Sequence, residues 1–325
     1  MLKKKRLAML VAVGLAVWVG SQYGWWLTPA ALVLLVALLA GLKWVRYALA
    51  HSGIDKLRAS CESRHMARQI EALQGKPASD SYKFVVLGDN RNAIKVPRTV
   101  YKLAKDEGPA FIFNTGDLVR FGRASEYMQR YVPLLDIADP VPVFSVPGNH
   151  DRGARHDFAG FVAVHGDERF SFDYGSCRFV GVNNAKKNRM EPDDIEFLRR
   201  ELSKSPIEHK FVFIHIPPRL FEDGVVTVKK RRGFKRLQSE FHELMVQEHV
   251  NEVFMGHIHG YATKLVDGVR YTLTAGAGAP LSRQLVQQGG AYNYVVISVS
   301  SNGLQREVVR NVGAEWVRSS ESDSA

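Results

Sequence analysis

Only two of the 325 residues are cysteine. Cys61 and Cys177 lie far apart and in no metal-ligand spacing, so there is no sign of a disulfide framework or a zinc knuckle, and a reducing compartment is allowed. Acidic residues are in deficit, 33 against 44 Lys and Arg, for a formal net charge of +11. That balance suits nucleic acid, an anionic membrane surface or a phosphate-bearing substrate, and total charge cannot separate the three. No basic platform interleaved with aromatics is visible, which ranks nucleic acid low. A nucleotide P-loop is missing too: the one glycine-rich run, Thr274 to Pro280, lacks the strand-to-helix context. Charge is absent altogether between Arg6 and Lys43.

That uncharged run is rich in Leu, Val, Ala, Trp and Gly, and it is too long for one membrane helix of about 20 residues yet sufficient for two short ones. It reads as a hairpin, with helices over about 7–23 and 28–45 broken by Gly24 and Pro29, and with Tyr23, Trp25 and Trp26 at the far interface. Basic flanks, Lys3 to Arg6 before and Lys43, Arg46, Lys56 and Arg58 after, place both ends and the following domain on the cytoplasmic side of a cell membrane. The competing reading is a secretory signal, against which no small-x-small cleavage site stands after Val19. Residues 47–80 read as a linker helix, near the membrane or simply solvated, closed by a loop at 75–80. A polar tail, 313–325, is expected to be disordered.

From residue 81 to 312, β-branched and aromatic runs alternate with helical stretches: Phe84 to Leu87, Phe111 to Phe113, Val141 to Val146, Phe179 to Val182, Phe211 to Ile214 and Val253 to Met255. This is the pattern of an α/β domain. Five of the six runs end in residues able to bind metal or phosphate: Gly88-Asp89-Asn90-Arg91, Gly116-Asp117, Gly148-Asn149-His150-Asp151, His215, and Gly256-His257-Ile258-His259. Singly each is weak; a lone His at a strand end is more often a packed or capping residue. His257 and His259, at alternate positions, would share one side of an extended segment.

Together and in this order, the motifs resemble the calcineurin-like metallophosphoesterase family, which includes purple acid phosphatases, over roughly residues 81 to 310. The resemblance implies a four-layer αββα sandwich of two mixed β-sheets, here preceded by the membrane hairpin. It implies a hydrolase with two transition-metal ions, Mn, Fe or Zn, that activate water and neutralise charge on a phosphomonoester, phosphodiester or pyrophosphate. By motif, Asp117 would bridge the ions, Asp89 and His259 would complete the first site, and Asn149, His215 and His257 the second. His150 would serve the substrate phosphate or the leaving oxygen, and Asp151 would orient His150.

The sequence departs from the family's first motif, Asp-x-His, by carrying Arg91, and a guanidinium cannot ligate a cation. The Tyr by which purple acid phosphatases compensate, three residues after the second-motif Asp, is replaced by Arg120. The first site is left with room for water, Asn92 or a weaker metal. Either Arg91 clamps the substrate phosphate, or the domain is a catalytically weakened, membrane-tethered protein that binds a phosphorylated ligand. The run Thr274 to Pro280 is either a loop approaching the site or an ordinary turn pair. The basic stretch Lys229 to Arg232 could face anionic lipid or substrate, or be solvated. A membrane anchor points to membrane lipids as partners and to a lipid-linked substrate as the narrower expectation.

Overall fold

The computed structural model describes residues 14, 18, 20–22, 24, 28–91, 93–153, 156–204, 206–226, 232–283, 285 and 290–321. The chain divides into two compact units, 1–53 and 54–325. In chain order the main helices are α1 (Thr28–Cys61), α2 (Met66–Gln74), α3 (Lys95–Asp106), α4 (Val132–Ala138), α5 (Ala159–His165), α6 (Pro192–Leu202) and α7 (Gln238–Gln247). The strands are β1 (Tyr82–Leu87), β2 (Phe111–Asn114), β3 (Val143–Ser145), β4 (Phe170–Tyr174), β5 (Cys177–Gly181), β6 (His209–Phe213), β7 (Glu252–Met255), β8 (Tyr261–Val266), β9 (Val269–Thr274), β10 (Asn293–Ser300), β11 (Gly303–Val312) and β12 (Glu315–Glu321).

They form two six-stranded mixed sheets, in the orders β12-β11-β10-β1-β2-β3 and β4-β5-β6-β7-β9-β8. Side chains alternate along a strand, and the alternation here sorts phenylalanines to one face. Phe84, Phe111, Phe113 and Phe144 from the first sheet meet Phe170, Phe172, Phe179, Phe211, Phe213 and Phe254 from the second. Phe113 stacks on Phe213 with ring centroids 4.0 Å apart. Each such buried ring contributes about 1.5–3 kcal/mol, so this layer is the main adhesive between the sheets. The opposite faces carry aliphatics: Val85, Leu87 and Ile112 pack with Val100, Tyr101 and Ala104 of α3, and Val180, Val212 and Val253 with Ile195, Leu198, Phe241 and Leu244 of α6 and α7. The layer order is therefore helix, sheet, sheet, helix. An ion pair crosses between the two sheets, with Arg306 of β11 donating to Glu252 of β7 from Nε at 3.1 Å and from Nη2.

One expectation fails here, and another is not shown. Residues 315–321 are not loose: β12 pairs antiparallel with β11 from Arg306↔Glu321 to Val312↔Glu315, and Trp316 packs against the core beside Tyr294. A membrane hairpin is not shown either. Among the described residues no helix is long and apolar enough to cross a membrane, and most of the first expected span lies outside the described residues. The expected break near residue 45 is absent, since α1 runs to Cys61 with no proline after Pro29.

Candidate metal centre

Ligands in open α/β sheets gather at the carboxyl ends of parallel strands. Here β1, β2 and β3 run parallel in one sheet and β6 and β7 in the other. Asp89, Asp117 and Asn149 follow the ends of the first three, and His215, His257 and His259 follow the ends of β6 and β7. The centre thus draws on both sheets. Asn90 and Asn114 stitch the first two loops: Asn114 Nδ2 donates to Asn90 Oδ1 at 2.9 Å, and Asn90 Nδ2 to the Leu118 carbonyl at 2.8 Å. Gly148 and Gly256 are glycine from need, because a Cβ would lie 2.2 Å from Asp117 N and 2.5 Å from Asp89 Oδ2, respectively.

Asp117 is fully buried and uses its two oxygens differently. Oδ1 accepts the His150 backbone N–H at 2.8 Å and lies 3.4 Å from His215 Nε2. Oδ2 accepts from Arg91 Nε at 3.3 Å and Nη2 at 3.1 Å. Burial opposes its ionisation, yet His215, His150 and Arg91 together hold its pKa down to about 2. Asp89 goes the other way, pushed well above the usual carboxylate range by burial and then by the Asp117 charge.

The imidazole tautomers are dictated by backbone carbonyls, which can only accept. His215 Nδ1–H donates to the Thr115 carbonyl at 2.7 Å, and His259 Nδ1–H to that of Pro280 at 2.7 Å. Burial before all else lowers the pKa of His215, of His257 to about 3 and of His259 to about 4. His215 Nε2 faces Asp117 Oδ1 and, at 3.3 Å, Asn149 Oδ1. His257 Nδ1 joins them, 2.7 Å from the same Asn149 oxygen. Nearby, His259 Nε2 and Asp89 Oδ1 are 3.4 Å apart, and both are buried without a hydrogen-bond partner among the described residues. Carboxylate, amide and imidazole atoms gathered in this way can enclose a cation, and imidazoles that donate their other N–H to a carbonyl are the usual way of aiming a ring nitrogen at one. Ligand atoms of Asp89, Asp117 and His215 all lie within 4.8 Å of one another. The donor set, mixed carboxylate, amide and imidazole, fits a transition-metal ion. It fits best around Asp117 Oδ1, Asn149, His215 and His257, because on the first-site side Arg91 already holds Asp117 Oδ2.

The family model for calcineurin-like phosphoesterase matches residues 82–261 of the chain. The chain belongs to the calcineurin-like phosphoesterase family. Among solved structures it is similar in fold to the purple acid phosphatase PPD1 from yellow lupin seeds, with TM-score 0.59 and 16% identity over 74% of this chain and 54% of that one. The chain therefore spans about half the length of that phosphatase. It is similar also to GAP50, the anchor in the inner membrane complex of Plasmodium, with TM-score 0.56 and 15% identity over 74% of this chain and 89% of that one. A third is PhoD, with TM-score 0.56 and 11% identity over 75% of this chain and 70% of that one. Comparison with curated proteins gives no match.

Seen as a phosphoesterase site, the geometry amends several expected roles. Asp151 does not orient His150. Its carboxylate turns back under the second loop and accepts from the backbone N–H groups of Leu118, Val119 and Gly148 and from the Tyr127 hydroxyl. Burial, and then the Asp117 charge, push its pKa up to about 7 against those donors. The His150 ring is held instead by the Arg120 carbonyl, which accepts from Nδ1 at 2.9 Å. His257 is not in an extended segment, since its φ is 76°; Asp89, Arg91 and Asp117 also have positive φ, at 60°, 45° and 56°. Strain of this kind, about 1–3 kcal/mol per residue, gathers at functional loops. The glycine-rich run lies along the first motif, with Ala277 N–H donating to the Gly88 carbonyl and Ala279 N–H to that of Asp89. Asn92 and residues 227–231 of the basic stretch lie outside the described residues. Sequence reasoning missed Phe121, Arg123 and Arg152, which line a cavity beside Asn149 and His150. The one available signal was an aromatic between arginines directly after the second motif.

Proposed function

We propose that the chain is a membrane-attached phosphohydrolase that cleaves a phosphate ester or anhydride with water at this centre. The observation carrying the reading is the convergence of imidazole nitrogens with carboxylate and amide oxygens from five loops. Asp117, Asn149, His215 and His257 would hold one ion, and Asp89, His259 and the shared Asp117 a second, with Mn, Fe and Zn all suited to the donors. A bound ion supplies activation of water and neutralisation of charge on the phosphate. The chain's own residues do the rest. His150, steadied through Nδ1, keeps Nε2 for the phosphate or the leaving oxygen. Arg91 adds positive charge at the rim of the centre, where it can take a phosphate oxygen. Because Arg91 also occupies Asp117 Oδ2, a second reading stands beside the first, in which the domain binds a phosphorylated ligand without turning it over.

Membrane attachment draws support from residues 28–45, where Leu32, Val33, Leu34, Leu38, Leu39 and Trp44 are all exposed. Large contiguous apolar surface is costly in water. A cytoplasmic placement follows from the basic flanks, and a lipid-linked substrate would join the two halves of the proposal. The test takes the full chain, stripped with chelator and reloaded with Mn²⁺, on p-nitrophenyl phosphate and bis(p-nitrophenyl) phosphate. Metal-dependent release of p-nitrophenol that His150→Ala lowers is expected; reloaded protein inert on both esters would favour the binding reading. Co-sedimentation of the full chain with vesicles of phosphatidylcholine and phosphatidylglycerol tests attachment, and protein left in the supernatant would refute it.

A further inference from the structure

Beside the centre a cavity of about 270 Å³ opens onto Asn149 and His150, and its other walls are Arg120, Phe121, Arg123 and Arg152. Phe121 is 49% exposed. The guanidinium carbons of Arg120 and Arg123 lie 5.1 and 5.3 Å from its ring centroid, so one aromatic plate carries two cations. The loop beneath is rigid. Glu126 accepts the backbone N–H groups of Phe121 and Arg123 at 3.0 and 3.2 Å, and a Cβ on Gly122 would lie 2.4 Å from the Asp151 carbonyl oxygen. Glu126 thus spends hydrogen bonds on the backbone. Arg152 is tethered through Nη1 to the Lys186 carbonyl at 2.6 Å.

Three guanidinium groups around a small cleft form a site for an anion, since a planar guanidinium matches phosphate oxygens in pairs. A neutral alcohol would leave these charges unanswered. The cleft adjoins the centre on the His150 side, within reach of a group bonded to a phosphorus held there. We propose that this cleft selects substrates whose leaving group is itself a phosphate, so that the bond broken is a phosphoanhydride. Water gives its oxygen to one phosphorus, the bridging oxygen departs with the second phosphate into the arginine cleft, and the protons of water pass to the products and solvent. The inference rests on the phosphohydrolase reading above and narrows its substrate class.

The experiment compares ADP-ribose, a diphosphate diester, with p-nitrophenyl phosphate, using the Mn²⁺-loaded full chain and its Arg123→Ala, Arg120→Ala and Arg123→Lys variants, each checked for an unchanged melting transition. Wild-type protein is expected to cleave ADP-ribose, and each alanine variant to lose at least about tenfold more kcat/KM on ADP-ribose than on the monoester, chiefly through KM, the size of effect one charge-assisted hydrogen bond supplies. Arg123→Lys should recover part of the loss. Turnover of the monoester alone, or equal losses on both substrates, overturns the anhydride assignment and leaves the phosphohydrolase standing. No turnover of either substrate by metal-loaded wild type removes both.

Discussion

Removing the Arg91 side chain should strengthen metal binding. In the structure its Nε and Nη2 both donate to Asp117 Oδ2, 3.3 and 3.1 Å away, and the carboxylate is fully buried. An ion held by Asp89, His259 and that oxygen of Asp117 would have to compete with the guanidinium. A hydrogen-bonded interaction with a charged group contributes about 1.5–3 kcal/mol net, and about 1.4 kcal/mol is a tenfold change in affinity. An ion that must displace the guanidinium therefore binds roughly 10- to 100-fold more weakly than it would without it. Titration of chelator-stripped full chain with Mn²⁺ by calorimetry should show one tight event, at Asp117 Oδ1, Asn149, His215 and His257, and a second, much weaker one. In Arg91→Ala the second event should tighten by that factor, and in Arg91→His further, since an imidazole adds a ligand. Identical isotherms for all three proteins would refute the competition for Oδ2.

Three further outcomes follow from buried polar groups. Asp151→Asn should lower the unfolding free energy, read from urea titration, by about 1–3 kcal/mol, because its amide cannot accept from every donor now bound and leaves one buried N–H or the Tyr127 hydroxyl unmet; the pH profile of turnover should keep its shape, as Asp151 does not touch His150. Arg306→Met should cost about 3–5 kcal/mol by stranding the Glu252 charge between the sheets, and Arg306→Met with Glu252→Leu should recover most of it. His165 is buried, with Nε2 3.0 Å from the Tyr131 hydroxyl, and burial, then the nearby His65, holds its pKa to about 3. The folded state thus keeps it neutral, so its contribution is complete above the unfolded value of about 6.5 and is lost as pH falls below it. Unfolding free energy should drop by about 1.4 kcal/mol between pH 7.5 and 5.5 from this group, and His165→Gln should flatten that slope.

The sandwich and most of its strands could be read from the sequence because the Phe-rich and Val-rich runs are short, separate and flanked by turn residues. The candidate ligands were readable for a related reason: each stands within a few residues of a strand end, so strand direction alone delivers it to one edge. What was hidden depends on where the chain goes after the strand. His150 and Asp151 are neighbours in sequence, but the turn at Gly148, whose carbonyl accepts the Asp151 N–H at 3.1 Å, sends their side chains to different tasks. Positive φ at Asp89, Asp117 and His257 leaves no mark in composition. Residues 315–321 looked like a solvated tail because Glu, Arg and Ser dilute Trp316 and Val317, yet an edge strand needs only one covered face. Arg91 was visible as a departure from the family's motif, but its partner Asp117 was not.

In the proposed function, hydrolysis depends on metal held by these residues. The direct measurement is elemental analysis of the full chain in parallel with phosphate ester turnover, before chelation, after it and after return of Mn²⁺, for wild type and for Asn149→Ala. Bound metal and turnover that fall and recover together in wild type, with both diminished in Asn149→Ala, are the predicted result. Turnover that persists in metal-free protein, or metal retained in full by Asn149→Ala, would contradict it.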